Sequence, residues 1–213
     1  MMPQTLTRPL AARVAGLPEP QDREANPPLS PAVAQAAEAA LAAGHTHYTD
    51  RPGVLPLRRR VVEMLGRRCA IELSADEVTI TCGATEARFV ALKQLAKRGT
   101  KIVCGADSWP VAAVAHLIGA DCTTNPAPSD PVSVVYLTPA DEPDRIQALL
   151  ELATAVEAWI IWDMSVEAAE TCFHPAQNPV LAPRTVTIGS FSAFLPGWRV
   201  GWMAGSQMAN KLR

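Results

Sequence analysis

The stretch that decides the fold is GSFSAFLPGWRVGW, which runs from Gly189 to Trp202. Its pattern predicts the end of a buried strand, a tight loop and the start of another strand. Chemistry built on such a loop usually needs a nucleophile or a base there. The centre of this loop holds Ala193, which is neither. We therefore ask whether this is an active-site loop without its reactive residue.

The composition bounds the kind of protein. The chain has 213 residues, 48% of them apolar, which is enough for a domain with a buried core. Apolar runs such as residues 159–162 are far too short to span a membrane, and the first residues lack the apolar segment of a secretory signal. The net charge of −2, with both signs interspersed, gives no electrostatic case for binding nucleic acid or an anionic membrane.

Cysteine and histidine usage favours no metal site. The five cysteines are odd in number and none forms a CxxC pair: Cys69, Cys82, Cys104, Cys122 and Cys172. We expect them to be reduced, buried small hydrophobic residues in a cytoplasmic protein. We expect His45 and His47 to flank a turn rather than bind a metal, and His174 has no partner visible in the sequence.

The order of predicted elements indicates an α/β domain. We interpret residues 1–30 as an extended arm and residues 31–213 as one domain. Ser30 and Pro31 predict the start of a helix that ends at Gly44, and helical spacing of apolar residues predicts a second helix over residues 54–68. Seven short apolar strands, separated mostly by helices, then predict a largely parallel sheet. The strands are predicted at residues 78–82, 101–104, 121–124, 133–137, 159–163, 185–188 and 200–204.

Chemically useful residues follow the predicted strands. Open α/β sheets bind ligands at the carboxyl ends of their strands, and a helix N-terminus there attracts anions. The strand ends carry an anion cradle, a flat aromatic residue, a carboxylate, hydroxyls and a guanidinium: Gly83, Ala84, Thr85, Ser108, Trp109, Asp163, Ser190, Ser192 and Arg199. Each of them has a plain structural explanation by itself, as a turn, core, cap or surface residue. Together they suit a flat, phosphorylated, nitrogen-bearing ring.

Several segments resemble a known family, the class I/II aminotransferases that use pyridoxal 5'-phosphate (PLP). Residues 48–58 resemble its Y-x-D-x-x-G-x-x-x-L-R segment, and residues 77–87 resemble its I-x-x-T-x-G-a-x-x-A phosphate loop. Asp163 falls where the family places the carboxylate that binds the pyridine nitrogen. The stretch 189–202 resembles g-S-F-S-K-x-f-x-x-P-G-x-R-x-G-w, which is long and specific. The resemblance implies the PLP-dependent transferase fold, with a seven-stranded, mostly parallel sheet sandwiched by helices.

The resemblance also implies roles for the residues at the strand ends. The cofactor phosphate would be held by the turn at Gly83 and by its neighbours Ala84, Thr85, Ser190, Ser192 and Arg199. Trp109 would stack on the ring, and Asp163 would pair with the ring nitrogen. Tyr48 would reach the phosphate of a neighbouring subunit, since family sites lie at a dimer interface.

Three departures bear on the chemistry that the resemblance implies. The Schiff-base lysine of the family falls on Ala193, and none of the lysines, Lys93, Lys97, Lys101 and Lys211, is an obvious substitute. The asparagine loop expected after Pro139 reads ADEPD, and the tyrosine expected after Asp163 is Val166. Family members are about twice as long, so the C-terminal small domain and its carboxylate-binding arginine are expected to be missing.

These departures lead to three hypotheses. The favoured one is a truncated aminotransferase-like pseudoenzyme with no catalytic residue and a vestigial pocket for PLP or phosphate. The second is a PLP-dependent enzyme that binds its cofactor non-covalently or borrows residues from another chain. The third is an α/β protein that binds another phosphorylated small molecule in the same cradle. We also expect a homodimer, a small phosphorylated or amino-acid-like ligand, and no nucleic-acid or membrane partner.

Overall fold

The computed structural model describes residues 29–106, 109–165 and 173–205, without the side chain of Trp109. Most of the predicted arm therefore lies outside the described residues, as do Ser108, Val166, Cys172 and Lys211. The chain divides into two compact units at Ala43 and Gly44. The proposed boundary at residue 30 stays a prediction.

The unit that ends at Ala43 contains helix α1, Pro31–Ala42. Proline at the first helical position fits because its missing N–H needs no partner there. The Ser30 side chain makes no capping hydrogen bond, and the Ser30 carbonyl instead accepts from the amides of Val33 and Ala34. The predicted helix is thus present, but its side-chain cap is not.

The unit that begins at Gly44 is built on seven strands and four α-helices, counted over the described residues. The helices are α2 (Leu55–Cys69), α3 (Gly83–Leu95), α4 (Trp109–Ile118) and α5 (Pro143–Ala155). The strands are β1 (Val78–Thr81), β2 (Lys101–Cys104), β3 (Asp121–Thr123), β4 (Val132–Leu137), β5 (Trp159–Asp163), β6 (Thr185–Ser190) and β7 (Gly201–Ala204). Short 3-10 helices lie at Ala75–Glu77, Pro175–Gln177 and Ala182–Arg184.

All seven strands form one sheet in the order β1-β7-β6-β5-β4-β2-β3. The neighbours from β6 to β3 pair in parallel, whereas β7 runs antiparallel to both β1 and β6. The prediction of a seven-stranded, largely parallel sheet is therefore confirmed.

Helices cover both faces of the sheet, as predicted. Alternate residues of a strand point to opposite faces, so Ile161 packs with α3 and α4 while Ile160 and Trp162 pack with α5. Val61 and Leu65 of α2 are fully buried against β1 and β7. Each such side chain contributes about 1.5–3 kcal/mol to folding through the apolar surface removed from water.

The cysteine prediction is only partly right. No disulfide joins the four cysteines of the described residues, and Cys69 and Cys104 are buried as expected. Cys122 is half-buried, and Cys82 is exposed. Burial fails at Cys82 because β1 ends at Thr81, so Cys82 belongs to the turn and not to the buried strand.

His174 is a buried hydrogen-bonding residue. Its side chain is 0% exposed and lies edge-on to the Trp162 ring, at 6.0 Å between centroids. Nδ1 accepts a hydrogen bond from the Ala176 amide at 3.1 Å, so Nε2 carries the proton and donates to Thr187 Oγ1 at 3.0 Å. Burial lowers the pKa of His174 to about 4, because the charged ring would lose its hydration.

Over the described helices, none is long and apolar enough to cross a lipid bilayer.

The low pKa of His174 predicts a loss of stability in acid. Between about pH 6.5, the ordinary histidine pKa, and about pH 4, the unfolded chain binds a proton that the folded chain does not. The free energy of unfolding should therefore fall by up to about 1.4 kcal/mol per pH unit as the pH drops through this window. Urea unfolding across the window measures the slope. The variant His174→Gln should show a shallower slope, and an identical slope in both proteins would contradict the assignment.

Candidate functional site

One row of the sheet brings the predicted phosphate-binding residues together. Gly201 of β7 lies opposite Thr81 of β1 on one side and opposite Ser190 of β6 on the other. Since neighbouring strands are about 4.8 Å apart, the ends of β1 and β6 lie roughly 10 Å from each other. The turn after β1 and the loop after β6 thus meet at one edge of the sheet.

The turn after β1 forms the first side of the site. Gly83 has a φ of +75° and begins α3, a conformation that glycine adopts without steric cost. The amides of the first helical turn, from Gly83 to Thr85, have no partners within the helix and carry the positive end of its dipole. This arrangement can hold an anion.

Arg199 forms the second side of the site. Its Nη2 donates to Thr85 Oγ1 at 3.3 Å and approaches the Cys82 carbonyl at 3.5 Å. A β-carbon added to Gly83 would lie 2.7 Å from the same nitrogen, so the guanidinium packs directly on the glycine. Arg199 has a φ of +59°, which is unusual for a residue with a side chain. The structure thus brings together the helix N-terminus and the arginine that the sequence predicted.

Glu86 adds a negative charge to the same turn. Its Oε2 accepts a hydrogen bond from the Cys82 amide at 2.5 Å, so the carboxylate caps the start of α3. A bound anion would lie between the repulsion of Glu86 and the attraction of Arg199. Glu86 is not among the site residues predicted from the sequence.

Ser190 ends β6, and the loop after it carries Ser192 and Ala193. Ser190 Oγ accepts a hydrogen bond from the Ser192 amide at 3.0 Å, and the Phe191 amide donates to the Val200 carbonyl. These bonds close the loop onto the start of β7. Ser192 and Ala193 are exposed, and Ser190 is half-buried.

The described lysines lie at the other end of the sheet. Lys101 is the first residue of β2 and pairs with Asp121 at 3.1 Å. Lys97 precedes it, and Lys93 lies in the last turn of α3, 5.7 Å above the Phe89 ring. Because β2 and β6 run in the same direction, the start of β2 and the end of β6 lie at opposite ends of the parallel strands. Within the described residues, therefore, no lysine lies beside Ala193.

Asp163 is held by four hydrogen bonds from its own chain. Its side chain is 0% exposed. Oδ2 accepts from Arg88 Nε at 2.5 Å and from the Tyr136 hydroxyl at 2.6 Å. Oδ1 accepts from the amide and the hydroxyl of Ser165, at 2.9 and 2.6 Å. Asp163 and Tyr136 both project from the α3 face of the sheet, where Arg88 of α3 reaches them.

Charge and burial act together in this cluster. Burial alone would lower the pKa of Arg88, but the charge and hydrogen bonds of Asp163 and Tyr136 outweigh it, so the pKa is raised. Burial, and then the Asp163 charge, raise the pKa of the Tyr136 phenol. Both side chains therefore keep their protons at neutral pH and act as permanent donors to Asp163.

Asp141 occupies the loop in which the family asparagine was expected. Its carboxylate is buried and accepts from the Ala106 amide at 2.6 Å and from the Thr138 amide at 2.7 Å. It also packs against Gly105, whose missing side chain leaves room for it. Asp141 therefore joins the loop after β4 to the loop after β2.

Two predicted site residues are not joined to this edge by any described contact. Trp109 begins α4, but its side chain lies outside the described residues, so stacking on a ring stays a prediction. Tyr48 is fully exposed, and its contact with a second subunit also stays a prediction. Across the described ranges, no group of three or more histidine, cysteine or acidic residues could hold a metal ion.

The residues present fit one end of PLP and not the other. The turn at Gly83 and the guanidinium of Arg199 suit a phosphate group. The carboxylate of Asp163, however, can accept about four hydrogen bonds and already receives four. It has no site left for a pyridinium N–H.

Arg88 and Tyr136 belong to the Asp163 cluster, and sequence reasoning missed both. Tyr136 gave a usable signal, because it is the one aromatic side chain of the strand VSVVYL, and a buried hydroxyl needs a partner. Arg88 gave a weaker one, as an arginine in a helix that is otherwise apolar around it. Its partner lies 75 positions away, and only the fold brings the two together.

Comparison with known proteins identifies a family. Residues 19–126, slightly more than half of the chain, match the family described as aminotransferase class I and II. An arginine–pyruvate transaminase of Pseudomonas aeruginosa is 28% identical over 204 residues, covering 81% of this chain and 51% of that protein. An aspartate aminotransferase of Thermotoga maritima is 24% identical over 218 residues, covering 84% of this chain and 55% of that protein. The chain thus spans about half the length of these relatives.

Solved structures share the fold. A methionine aminotransferase of Escherichia coli superposes with a TM-score of 0.75 at 21% identity, over 85% of this chain and 56% of that one. The N-succinyldiaminopimelate aminotransferase of Mycobacterium tuberculosis superposes with a TM-score of 0.72 at 24% identity, over 96% of this chain and 61% of that one. At these identities the structures support the fold alone.

The Asp163 cluster predicts a stability effect of Tyr136. The variant Tyr136→Phe keeps the ring but removes one donor to a buried carboxylate, so the free energy of unfolding should fall by about 1.5–3 kcal/mol. Tyr48→Phe is the matched control, because the chain has only two tyrosines and Tyr48 is fully exposed. Its effect should lie within about 0.5 kcal/mol of zero. Urea unfolding measures both, and equal effects would show that the hydrogen bond to Asp163 contributes nothing.

Proposed function

Since the chain belongs to the class I and II aminotransferase family, we propose that it is an aminotransferase-like protein that binds a phosphorylated small molecule without catalysing transamination. The family uses PLP, which makes PLP a candidate ligand, held non-covalently and by its phosphate. A different phosphate monoester in the same cradle is the second candidate. Because the chain spans about half of each relative, the proposal includes none of their activities or substrates.

The observation that carries the proposal is Ala193 at the centre of the loop after β6. A methyl group can neither form a covalent bond to an aldehyde nor move a proton. The described lysines lie near the opposite, amino-terminal ends of the parallel strands, so none of them can replace a lysine at position 193. The engaged state of Asp163 supports the same proposal, since a carboxylate saturated by Arg88, Tyr136 and Ser165 is not available to a ring nitrogen.

Arg199 and the turn at Gly83 support binding of the phosphate group. The guanidinium is packed on the glycine and bonded to Thr85, so it is already positioned beside the free amides of α3. A positioned donor loses little conformational freedom when a ligand arrives, which favours affinity. Glu86 weakens binding of any anion, and we expect modest rather than tight affinity.

A homodimer is part of the same proposal. Two large apolar side chains of the loop after β6, Phe194 and Trp198, are 75% and 47% exposed. Exposed apolar side chains grouped on one loop are typical of surfaces that another protein covers. A second copy of the chain is the partner we propose, and light scattering at micromolar concentration that gives a monomer mass would exclude it.

Replacing Arg199 tests the phosphate cradle. Arg199→Ala removes a charge-assisted hydrogen bond, so the Kd for pyridoxine 5'-phosphate or a simple phosphate monoester should rise by about 10- to 150-fold, which corresponds to about 1.5–3 kcal/mol. Arg184→Ala is the control, because Arg184 lies at the opposite end of β6 and pairs with Glu157 at 3.1 Å. Isothermal titration measures the affinities. An unchanged Kd in Arg199→Ala, or an equal rise of the Kd in the control, would contradict the proposed phosphate cradle.

Introducing a lysine tests the interpretation of Ala193. In Ala193→Lys the new amine should capture the aldehyde of PLP, and borohydride treatment followed by peptide mass analysis should find the adduct at residue 193. The unaltered protein should give no adduct in that peptide. Amino-group transfer from a panel of amino acids should stay undetectable, because Asp163 remains engaged by Arg88. Rapid transfer by the variant, or by the unaltered protein, would overturn the proposal of a non-catalytic role.

A further inference from the structure

The ion pair between Arg88 and Asp163 is distinct from the phosphate cradle. It lies on the α3 face of the sheet, with Arg88 13% and Asp163 0% exposed. Arg88 uses two of its donors here, Nε to Asp163 at 2.5 Å and Nη2 to Ser165 Oγ at 2.6 Å. The guanidinium is thus held by Asp163 Oδ2 and by Ser165, whose hydroxyl donates to the other carboxylate oxygen, Asp163 Oδ1.

A ring nitrogen would have to compete with this cluster. Displacing Arg88 would leave a buried guanidinium without its counter-charge, at a cost typical of broken buried ion pairs. Leaving Arg88 in place would set a cationic pyridinium against a permanent cation, because the raised pKa keeps the guanidinium charged. Either way, the aromatic nitrogen gains nothing from Asp163.

We propose that Arg88 is a specificity-determining residue. It occupies the hydrogen-bonding sites of Asp163, so the cradle does not discriminate between ligands with and without a ring nitrogen. The site then recognises the phosphate monoester and gains nothing from a pyridine nitrogen. This inference rests on the phosphate cradle proposed above. Arg88 acts through Asp163 and has no contact with the phosphate.

Two matched probes test the inference. Pyridin-3-ylmethyl phosphate and benzyl phosphate both present a phosphate on a CH2 group attached to a six-membered aromatic ring, and they differ only in the ring nitrogen of the first. The unaltered protein should bind the two with Kd values within about threefold of each other. A preference of tenfold or more for pyridin-3-ylmethyl phosphate would overturn the inference and leave the cradle standing. If neither probe binds, the proposed cradle fails, and the inference falls with it.

The variant Arg88→Met frees Asp163 while keeping the length and apolar stem of the side chain. Pyridin-3-ylmethyl phosphate should then bind at least about tenfold more tightly relative to benzyl phosphate, as expected for a new hydrogen bond to a charged group. Circular dichroism and thermal unfolding establish that the variant is folded. An unchanged ratio in a folded variant would overturn the inference. Arg88→Lys is the control, since it retains the cation and should still bind the two probes with similar Kd values.

A measurement on the unaltered protein alone covers the case in which Arg88→Met does not fold. The ultraviolet spectrum of pyridoxine 5'-phosphate distinguishes the protonated from the neutral ring. If Arg88 blocks Asp163, the protonated share of the bound ligand should not exceed that of the free ligand at the same pH. A clearly larger protonated share would mean that a carboxylate faces the ring nitrogen, which contradicts the proposal.

Discussion

The site depends on a close approach between two backbones at Gly201. A β-carbon at this position would lie 2.5 Å from the Gly83 carbonyl carbon and 2.8 Å from the Ala84 nitrogen. Only a glycine lets β7 pass beneath the first turn of α3. Because β7 pairs with β1 on one side and β6 on the other, this contact sets the distance between the helix N-terminus and Ser190 at the end of β6, which the loop with Ala193 follows. Arg199, two residues before Gly201, is placed by the same approach.

The architecture followed from the sequence because its signals are local. Strands β2 and β5 were predicted at their observed bounds, since short runs such as KIVC and WIIWD are apolar, compact and followed by polar residues. Helix α3 begins at Gly83 itself, whereas the sequence pattern was interpreted as a turn at this glycine and not as the first helical residue. The turn at Gly83 could be predicted because it lies within one strand–helix connection.

The chemistry at Asp163 could not be predicted in the same way. The sequence placed Asp163 at the end of a strand, which is correct, and the resemblance implied a ring nitrogen as its partner, whereas in the fold Asp163 accepts four hydrogen bonds from its own chain. Those donors come from α3, β4 and the residue two positions beyond β5, and their meeting depends on sheet order and on which face each side chain takes. A periodic pattern reports that a residue is buried, but it does not report which charge it meets there.

The antiparallel position of β7 has a consequence for synthesis on the ribosome. Strands β2 to β6 emerge in succession and pair with one another in parallel, so most of the sheet can assemble as it is made. β1 emerges earlier than all of them, yet its sheet partner is β7, the last of the described strands to emerge. Val78 can pair with Ala204 only after β7 has been made. Pairings between segments so distant in the chain form slowly, because the entropy cost of closing a long loop comes before any favourable contact forms. The nascent chain therefore carries an unpaired β1 until β7 has been made, and chaperone binding or aggregation would act on β1 during that interval.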